Sequence, residues 1–185
     1  MRRIILSSFF SFVISAFYLP FSLGLPVEDV QVVVNAQYFQ VAKRMIHEAK
    51  HSVQVMMFEM GYYDKYPNTP SNLLVKELID ARKRGANVEV ILEVKEGEDR
   101  TTKRNRRTGK ILSDGGVKVI YDSPLKTTHA KLMVVDGELS LLGSTNWTYY
   151  ALTENNEASV LIRSKEVAKA LVEYFNRVKA AGSKK

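Results

Sequence analysis

Residues 129–146 of the chain read HAKLMVVDGELSLLGSTN, and this stretch predicts a β-hairpin. Two apolar runs flank the dipeptide Asp136-Gly137, which favours a tight turn between antiparallel strands. Side chains alternate between the two faces of a strand, so His129 and Lys131 are expected to point the same way. Two polar side chains therefore stand together on a strand that is otherwise apolar.

Extended and helical patterns alternate along the rest of the chain. Apolar runs predict further strands at Val30–Val34, Ser52–Phe58, Val88–Val94, Val117–Tyr121 and Ala158–Ile162. Helical spacing predicts helices at Gln37–Lys50, from an N-cap at Ser71 to Gly85, and at Lys165–Lys179, with a frayed tail after it. The valines of the first strand indicate that it is buried. This alternation predicts a single α/β domain whose sheet is covered on at least one face.

The composition restricts the chemistry that the chain can perform. Among its 185 residues are no cysteine and three histidines, His47, His51 and His129. Without cysteine there is no disulfide, no thiolate nucleophile and no cysteine-ligated metal site. Three histidines also leave little material for a histidine-rich metal site. The formal charge of +7 favours an acidic partner such as nucleic acid, a phosphate ester or an anionic membrane.

The first 24 residues are predicted to lie outside the folded domain. Arg2 and Arg3 precede a mostly apolar stretch, Ile4–Leu19, which small residues follow at 22–24. This order is typical of a secretory signal peptide, with an uncleaved membrane anchor as the alternative. Residues 25–185 are then the working domain of an exported protein, periplasmic or secreted, or held at the membrane if the segment is an anchor. Without Arg2 and Arg3 the formal charge is +5.

The pairing of His129 with Lys131 suits phosphate chemistry. A lysine supplies a fixed cation for non-bridging oxygens, and an imidazole acts as nucleophile or general acid near neutral pH. Ser144 and Asn146, just past the hairpin, offer further hydrogen-bond donors, and Glu157 is a candidate acceptor for the second ring N–H of His129. An edge strand that carries solvated polar residues is the alternative, and spacing alone does not exclude it.

The same residues form a pattern that resembles a known family. The pattern H-x-K-x4-D-x6-G-S-x-N, from His129 to Asn146, is similar to the HKD motif of the phospholipase D superfamily. Asn155–Glu157 resembles the acidic element that follows the motif there, and the resemblance spans about residues 30–175. A single motif in a short chain is most similar to the Nuc-type bacterial endonucleases. The resemblance implies one phospholipase D-like domain, with a mixed β-sheet flanked by helices on both faces.

The resemblance also implies a mechanism that uses no metal and no cofactor. One histidine attacks phosphorus and forms a phosphohistidine, while a second histidine protonates the leaving oxygen and later activates water. Carried over to this chain, the catalytic set is His129 as nucleophile or acid, Lys131, Ser144 and Asn146 on the phosphoryl oxygens, Glu157 orienting His129, and Asp136. The place of Asp136 in the turn, and its opposite alternation, favour a structural role in the hairpin over a direct catalytic one.

The mechanism needs two histidines, and the chain carries one motif. Neither His47 nor His51 has a lysine two residues on, and both are interpreted as ordinary helix-end or surface residues. The second catalytic histidine is therefore expected from another chain. We predict a two-fold homodimer with both copies of His129 facing across its axis. The sequence does not define the interface residues, but Gly143–Tyr150, next to the motif, is a candidate segment.

A basic cluster between residues 100 and 110 is the candidate nucleic-acid contact. Its members are Arg100, Lys103, Arg104, Arg106, Arg107 and Lys110. A helix here would align several of them as a ridge that tracks phosphates, although Gly109 disfavours a helix. A solvated segment balanced by neighbouring acidic residues is the alternative. The tyrosines at 62, 63, 66, 149 and 150 suit base stacking or a lipid groove, and Trp147 is expected in the core.

Three functions are consistent with these patterns. The leading hypothesis is a metal-independent phosphodiesterase, namely a sequence-nonspecific endonuclease that cleaves DNA, with RNA as a further substrate. The second is a lipid phosphodiesterase of the phospholipase D or cardiolipin-hydrolase type, and the third is a nucleic-acid-binding relative without catalytic activity. The intact motif makes the third the weakest of the three.

Overall fold

The computed structural model describes residues 24–97 and 99–182 of the chain. The predicted leader at 1–24 lies outside the described residues except for Gly24. In the described part, no helix combines the length and the apolar character needed to cross a membrane.

Seven strands form one mixed sheet in the described residues, in the order β1-β7-β6-β5-β2-β3-β4. The strands β2, β3 and β4 run parallel to one another, and the other neighbours are antiparallel. Their bounds are β1 Asp29–Val34, β2 Ser52–Met57, β3 Asn87–Leu92, β4 Lys118–Tyr121, β5 Lys131–Val135, β6 Leu139–Gly143 and β7 Ala158–Arg163.

Helices cover both faces of this sheet, as predicted. Within the described residues they are α1 Gln37–Glu48, α2 Pro70–Lys83, α3 Arg100–Asp114, α4 Tyr149–Thr153 and α5 Lys165–Gly182. Apolar residues of α1 to α4 pack into the larger core cluster, on one face of the sheet. Helix α5 covers the smaller cluster on the other face, where Ala168 and Phe175 meet Met56, Leu132 and Val134. A two-sided α/β sandwich results.

The hairpin matches its prediction at the level of the backbone. Strands β5 and β6 pair in antiparallel register from Leu132–Leu142 to Val135–Leu139. Asp136 and Gly137, at the turn, both have positive φ, of 52° and 63°. Two successive residues in this conformation define the turn type whose twist matches the flanking strands, and Asp-Gly adopts it readily.

The prediction that the first strand is buried is wrong. Val30, Val32 and Val34 are 51%, 67% and 39% exposed, and only Val33 of the valine run is buried. The reason is the position of β1 at the edge of the sheet, where it pairs with β7 and where α5 does not reach. A run of valines indicates a strand but not how many of its faces are covered.

Two helix boundaries also differ from their predictions, and one short helix has no counterpart among them. The N-cap of α2 is Thr69 rather than Ser71, because Pro70 occupies the first helical position, where its missing N–H costs nothing. Helix α5 continues to Gly182 instead of fraying after Lys179. There Gly182 lies so close to Tyr121 that a Cβ would sit 2.4 Å from its carbonyl oxygen, so the helix end is packed against β4. The short helix without a predicted counterpart is α4, Tyr149–Thr153.

The basic segment is helical despite Gly109. Asp99 caps α3 by accepting a hydrogen bond of 2.7 Å from the backbone N–H of Thr102. Gly109 faces the ring of Tyr121, whose hydroxyl would lie 2.5 Å from a Cβ at that position. The glycine therefore serves the packing of α3 against β4, and the helix tolerates its low propensity.

Candidate active site

The polar residues of the motif lie where several inner strands of the sheet begin or end, and this end of the strands is the motif edge. His129 lies just before β5, Ser144 just after β6, and Glu157 just before β7. Because these strands alternate in direction, the three positions meet at the same edge. Strand β2 ends there too, since its last residue, Met57, pairs with Lys131.

His129 and Lys131 are side by side at this edge. The Lys131 Nζ lies 3.3 Å from the His129 Nε2, and it donates a hydrogen bond of 2.8 Å to the His129 carbonyl oxygen. Phe58 supports both groups, with its ring centroid 4.5 Å from that of His129 and 4.8 Å from the lysine Nζ. The lysine cation, only 6% exposed as a residue, is thus held against an aromatic face beside the imidazole.

The protonation of this pair follows from its surroundings. Partial burial and the neighbouring Lys131 cation lower the pKa of His129. Burial also lowers the pKa of Lys131, while the carboxylates of Glu157 and Glu59 act in the opposite direction. An imidazole whose pKa is lowered, next to a cation, suits nucleophilic attack on a phosphate diester.

Ser144 and Glu157 contact each other rather than His129. The Ser144 Oγ donates a hydrogen bond to the Glu157 carboxylate and accepts one of 3.1 Å from the Ala158 backbone N–H. The Asn155 side-chain amide donates a second bond, of 3.1 Å, to Glu157. Within residues 24–97 and 99–182, no hydrogen bond joins Glu157 to His129, so the orienting contact expected from the sequence is absent here. The charge of Glu157 instead acts on Lys131 and raises the pKa of that lysine against the larger effect of burial, which lowers it.

Asn146 is fixed to the end of β2. Its Oδ1 accepts a hydrogen bond of 3.2 Å from the backbone N–H of Glu59, and the next residue, Trp147, pairs with Met60. Trp147 is fully buried, as predicted, and donates a 3.1 Å hydrogen bond to the Tyr38 hydroxyl. Asn146 is therefore held in place by a core residue beside it.

Asp136 lies at the opposite end of β5 from His129, about 23 Å away along the strand. Its carboxylate accepts hydrogen bonds of 2.8–2.9 Å from the backbone N–H groups of Lys50, His51 and Ser52. Burial alone would raise the pKa of Asp136, but these three bonds outweigh burial and lower it. The carboxylate thus holds the α1–β2 connection against the hairpin turn, and it is remote from the other motif residues.

The other histidines do not approach His129. His51 precedes β2 at the end of the sheet where Asp136 lies. His47, in the last turn of α1, pairs with Glu77 through a 3.0 Å contact. In the part of the chain that the structure describes, His129 is therefore the one histidine at the motif edge. No three His, Asp or Glu side chains in that part are grouped closely enough to hold a metal ion.

Sequence reasoning missed a pair of buried carboxyl groups behind His129. Glu93 is 1% exposed and accepts a hydrogen bond from the backbone N–H of Thr128. Burial and the adjacent carboxyl of Asp122 raise the pKa of Glu93 to about 7. Asp122 Oδ1 accepts a 2.8 Å bond from Val94, whereas its buried Oδ2 has no partner among the described residues.

A buried asparagine, also missed, connects three elements next to the site. Asn105 of α3 accepts a 2.8 Å hydrogen bond from Met60 N–H and donates two of 2.8 Å, to the carbonyl oxygens of Phe58 and Glu93. Thr108, one turn further along α3, donates to the Met60 carbonyl. Helix α3 is therefore attached to the ends of β2 and β3, where the site begins.

The structure divides the basic cluster into two groups. Lys103, Arg106, Arg107 and Lys110 are on the exposed face of α3, as the helical spacing predicts. Arg107 pairs there with Asp64, and Lys110 pairs with Asp114 at 2.9 Å. Arg100 and Arg104 instead turn towards the motif edge, where Arg104 pairs with Glu59.

A cavity of about 720 Å³ opens beside Asn146. Tyrosines and arginines dominate its lining, together with Glu59 and three threonines. The lining residues are Glu59, Tyr63, Tyr66, Thr69, Arg100, Thr101, Arg104, Thr148, Tyr149 and Tyr150. The predicted aromatic loop and the tyrosines after Asn146 thus face one another across a single space.

Comparison with known proteins identifies the family to which this chain belongs. A family model described as "Cardiolipin synthase, PLD-like domain" matches residues 42–179. The chain therefore belongs to the phospholipase D-like family, as its motif predicted. The match includes all six positions of the motif, from His129 to Asn146.

Curated relatives are similar over part of their length. Mitochondrial cardiolipin hydrolase of Canis lupus familiaris is 31% identical over 68 residues, which are 37% of this chain and 27% of that protein. Cardiolipin synthase A of Buchnera aphidicola is 33% identical over 153 residues, 80% of this chain and 29% of that protein. The chain spans from about a quarter to about half of the length of such relatives.

Solved structures share the fold over most of the chain. The phospholipase D family member Nuc from Salmonella typhimurium superposes with a TM-score of 0.70 at 24% identity, covering 83% of this chain and 95% of that one. NucT from Helicobacter pylori superposes with a TM-score of 0.63 at 15% identity, covering 83% and 98%. The predicted mixed sheet with helices on both faces, in one phospholipase D-like domain, is confirmed.

Proposed function

We propose that this chain is a metal-independent phosphodiesterase, acting as a sequence-nonspecific endonuclease on DNA and, as a further substrate, RNA. The observation that carries the proposal is the His129–Lys131 pair, an imidazole of lowered pKa whose Nε2 lies 3.3 Å from the Nζ of a buried lysine. The resemblance of the single motif to the Nuc-type endonucleases supports a nuclease, and the fold agrees with that of Nuc over 95% of that chain.

In the proposed mechanism, His129 attacks phosphorus and forms a P–N bond while the P–O bond to the leaving group breaks. Lys131 balances the charge that develops on the non-bridging oxygens, and the Asn146 amide adds a hydrogen-bond donor. Ser144 adds a second donor once its hydroxyl turns from Glu157 to the phosphoryl group. Water then attacks the phosphohistidine, releasing the phosphate monoester product and free imidazole. The leaving oxygen takes its proton from a second histidine, which also deprotonates the water.

The second histidine is proposed to come from a second copy of the chain. His47 and His51 are both remote from the motif edge, as the hydrogen bonds of Glu77 and Asp136 to those segments indicate. A two-fold axis near that edge would bring two copies of His129 together, with one neutral and one protonated. The proposed assembly is therefore a homodimer with one shared site, and the predicted Gly143–Tyr150 segment lies beside it.

The experiment is plasmid cleavage by the full chain in the presence of EDTA. Wild type is expected to nick plasmid with chelator present, and His129→Ala to lose activity by about 10³-fold or more. Lys131→Ala is expected to lose about 10²- to 10³-fold, as for loss of one charge-stabilising donor. The matched control is His47→Ala, which removes an exposed histidine remote from the edge and is expected to retain activity. Cleavage that EDTA abolishes would contradict the proposed mechanism.

A lipid phosphodiesterase is the second candidate, because the curated relatives include proteins named mitochondrial cardiolipin hydrolase and cardiolipin synthase. Vesicles that contain cardiolipin, incubated with the same set of variants, separate the two candidates. Release of a lipid headgroup by wild type but not by His129→Ala, without plasmid cleavage, would replace the nuclease by the lipid enzyme. Neither reaction, with retained binding of DNA, would indicate a non-catalytic relative.

The proposed exported location rests on the sequence of residues 1–24 alone. Mass spectrometry of the protein from its native source tests it, because cleavage removes the apolar segment from the mature chain. A mature protein that begins near residue 25 is expected. Recovery of the intact segment in a membrane fraction would favour the anchor, and recovery of the intact chain from the cytoplasm would contradict export.

A further inference from the structure

The cavity beside Asn146 has a lining that suits a planar ring rather than an alkyl chain. Four of its lining residues are tyrosines and two are arginines, and none is an aliphatic side chain or a phenylalanine. An acyl chain would contact the tyrosine rings but would offer no polar partner to the guanidinium groups of Arg100 and Arg104 or to the carboxylate of Glu59. A nucleobase, in contrast, stacks on phenol rings and hydrogen-bonds at its edge.

The aromatic residues at the mouth of this tyrosine pocket are exposed. Tyr66 and Tyr150 are 66% and 65% exposed, and Tyr149 is 38% exposed. Tyr149 and Tyr150 are arranged edge to face, with centroids 5.5 Å apart and an interplanar angle of 82°. Exposed rings gathered around a cavity of about 720 Å³ are typical of a ligand site, and this volume lies in the usual range of about 300–1,000 Å³.

The pocket is built on fixed supports. Asn72, fully buried in α2, accepts a 2.8 Å hydrogen bond from Tyr63 N–H and donates bonds of 2.9 and 3.1 Å to the carbonyl oxygens of Tyr63 and Tyr66. The Tyr63 hydroxyl accepts a 3.2 Å bond from the backbone N–H of Tyr149, which joins the two walls. Both walls are thus positioned before any ligand enters, which lowers the entropic cost of binding.

The pocket is continuous with the site of the proposed reaction. Glu59 lines it, and the backbone N–H of the same residue is held by Asn146 of the motif. Arg104 neutralises Glu59 and lies with its guanidinium carbon 5.8 Å from the Tyr63 ring centroid. Arg100 adds a further cation to the lining. The Glu59 carboxylate also acts electrostatically on Lys131, so the pocket and the proposed site share this residue.

We propose that the tyrosine pocket holds an unstacked base next to the phosphodiester cleaved at His129, which makes single-stranded nucleic acid the preferred substrate. The inference rests on the proposed nuclease function and names its substrate class. A base in a duplex is stacked and paired, so it reaches the phenol rings only after it leaves the helix. Single strands offer such bases without that cost.

The experiment measures binding to the full chain carrying His129→Ala, which keeps the ligand intact. The probes are fluorescein-labelled oligothymidylate, an abasic oligonucleotide with the same number of phosphates, and a hairpin duplex. The test variants add Tyr66→Ala and Tyr150→Ala together, with Tyr66→Phe and Tyr150→Phe as the pair that retains the rings. Tyr174→Ala, at a 40% exposed tyrosine of α5 outside the pocket, is the matched control.

Oligothymidylate is expected to bind more tightly than the abasic strand and the duplex. The alanine pair is expected to weaken oligothymidylate binding by about 5- to 100-fold and to leave the abasic strand within about two-fold, because the stacking energy is removed and the phosphate contacts stay. The phenylalanine pair and Tyr174→Ala are expected to bind as the parent does.

Three results would overturn the inference. Equal binding of the oligothymidylate and abasic strands would show that no base is held, even if plasmid cleavage confirms the nuclease. Loss of the dimer in light scattering of the alanine pair would assign these tyrosines to an interface between copies. Tyrosine-dependent binding of cardiolipin vesicles, without binding of any oligonucleotide, would assign the pocket to lipid and would accompany failure of the nuclease proposal itself.

Discussion

The carboxylate of Glu93 accepts a hydrogen bond from the backbone N–H of Thr128, the residue immediately before His129. The loop that carries the proposed nucleophile is thereby attached to a buried acid at the end of β3. Among the described residues, two charged groups face this acid. Burial and the Asp122 carboxyl raise the pKa of Glu93, and the Lys95 cation lowers it.

The first prediction concerns the pH dependence of stability at Glu93. Its pKa is raised from 4.5 to about 7 by folding, so the folded state binds the proton more tightly than the unfolded state does. The stabilisation is complete below about pH 4.5 and is lost as the pH rises through about 7. Glu93→Gln is neutral at every pH. Between about pH 4.5 and 7, its free energy of unfolding is therefore expected to decrease less than that of wild type.

Urea unfolding of wild type and Glu93→Gln at several pH values measures this difference, with exposed Glu96→Gln as the control. Parallel curves for wild type and Glu93→Gln would show that Glu93 does not hold its proton in the folded protein.

The second prediction concerns the titration of His129. Its pKa is lowered by burial and by Lys131, so the folded protein disfavours the imidazolium. The corresponding stability is present above the ordinary histidine value of 6.5 and is lost as the pH falls through the lowered pKa. Lys131→Met is expected to raise the pKa of His129, and Lys131→Arg to keep it low. NMR titration of the imidazole measures both, and an unchanged value in Lys131→Met would refute the electrostatic coupling.

The third prediction separates stability from catalysis at Asp136. Asp136→Ala removes the acceptor of three backbone N–H groups and places alanine at a φ of 52°. We expect the free energy of unfolding to fall by about 2–4 kcal/mol, with Asp136→Asn less affected because asparagine tolerates this backbone and keeps an acceptor. Specific activity at a temperature where the variant stays folded is expected to match wild type. A loss of about 10²-fold or more in folded protein would make Asp136 catalytic.

The fourth prediction tests whether two chains share one site. If each active site uses two copies of His129, a dimer of one wild-type and one His129→Ala chain is inactive. After subunit exchange in an equal mixture, about one quarter of the dimers carry two intact histidines. Plasmid cleavage per wild-type chain is then expected to fall by about half relative to undiluted wild type. Activity that stays proportional to the wild-type chain would place the whole reaction in one protomer.

The fifth prediction concerns the exposed face of α3. Arg106→Ala and Arg107→Ala are each expected to weaken DNA binding and to reduce the dependence of log K on log salt by about 0.9 for each phosphate that the variant no longer neutralises. Lys169→Ala, an exposed cation of α5, is the control. Equal salt slopes for all three variants would indicate that this face of α3 is solvated and that Arg100 and Arg104 are the cations to examine.

The hairpin and its paired side chains could be predicted from the sequence because the information is local. Asp-Gly specifies the turn without reference to any other part of the chain. The two-residue spacing keeps His129 next to Lys131, although β5 begins only at Lys131. The order of strands and helices followed for the same reason. The exposure of β1 could not be predicted, since it depends on which helix covers that end of the sheet.

The buried polar supports could not be predicted because their partners are distant in sequence. Asn105 binds Met60 from 45 residues away, and Glu93 binds Thr128 from 35 residues away. A lone asparagine in a basic helix, or a glutamate at the end of an apolar run, carries no local signal for such contacts. Helix α4 was missed because it has only five residues, although Thr148 caps it by accepting a hydrogen bond from Ala151.

The edge position of β1 has a consequence for the order in which the chain folds. Its neighbour is β7, with Asp29 paired to Arg163 and Val34 paired to Ala158. During synthesis this valine-rich strand therefore has no sheet to join until more than a hundred residues have followed it. Of the described strands, β1 is thus made first but gains its neighbour in the sheet only once β7 is available. Until then its backbone hydrogen-bonding groups and its valines are unpaired, which is the condition under which strands of other chains can pair with it.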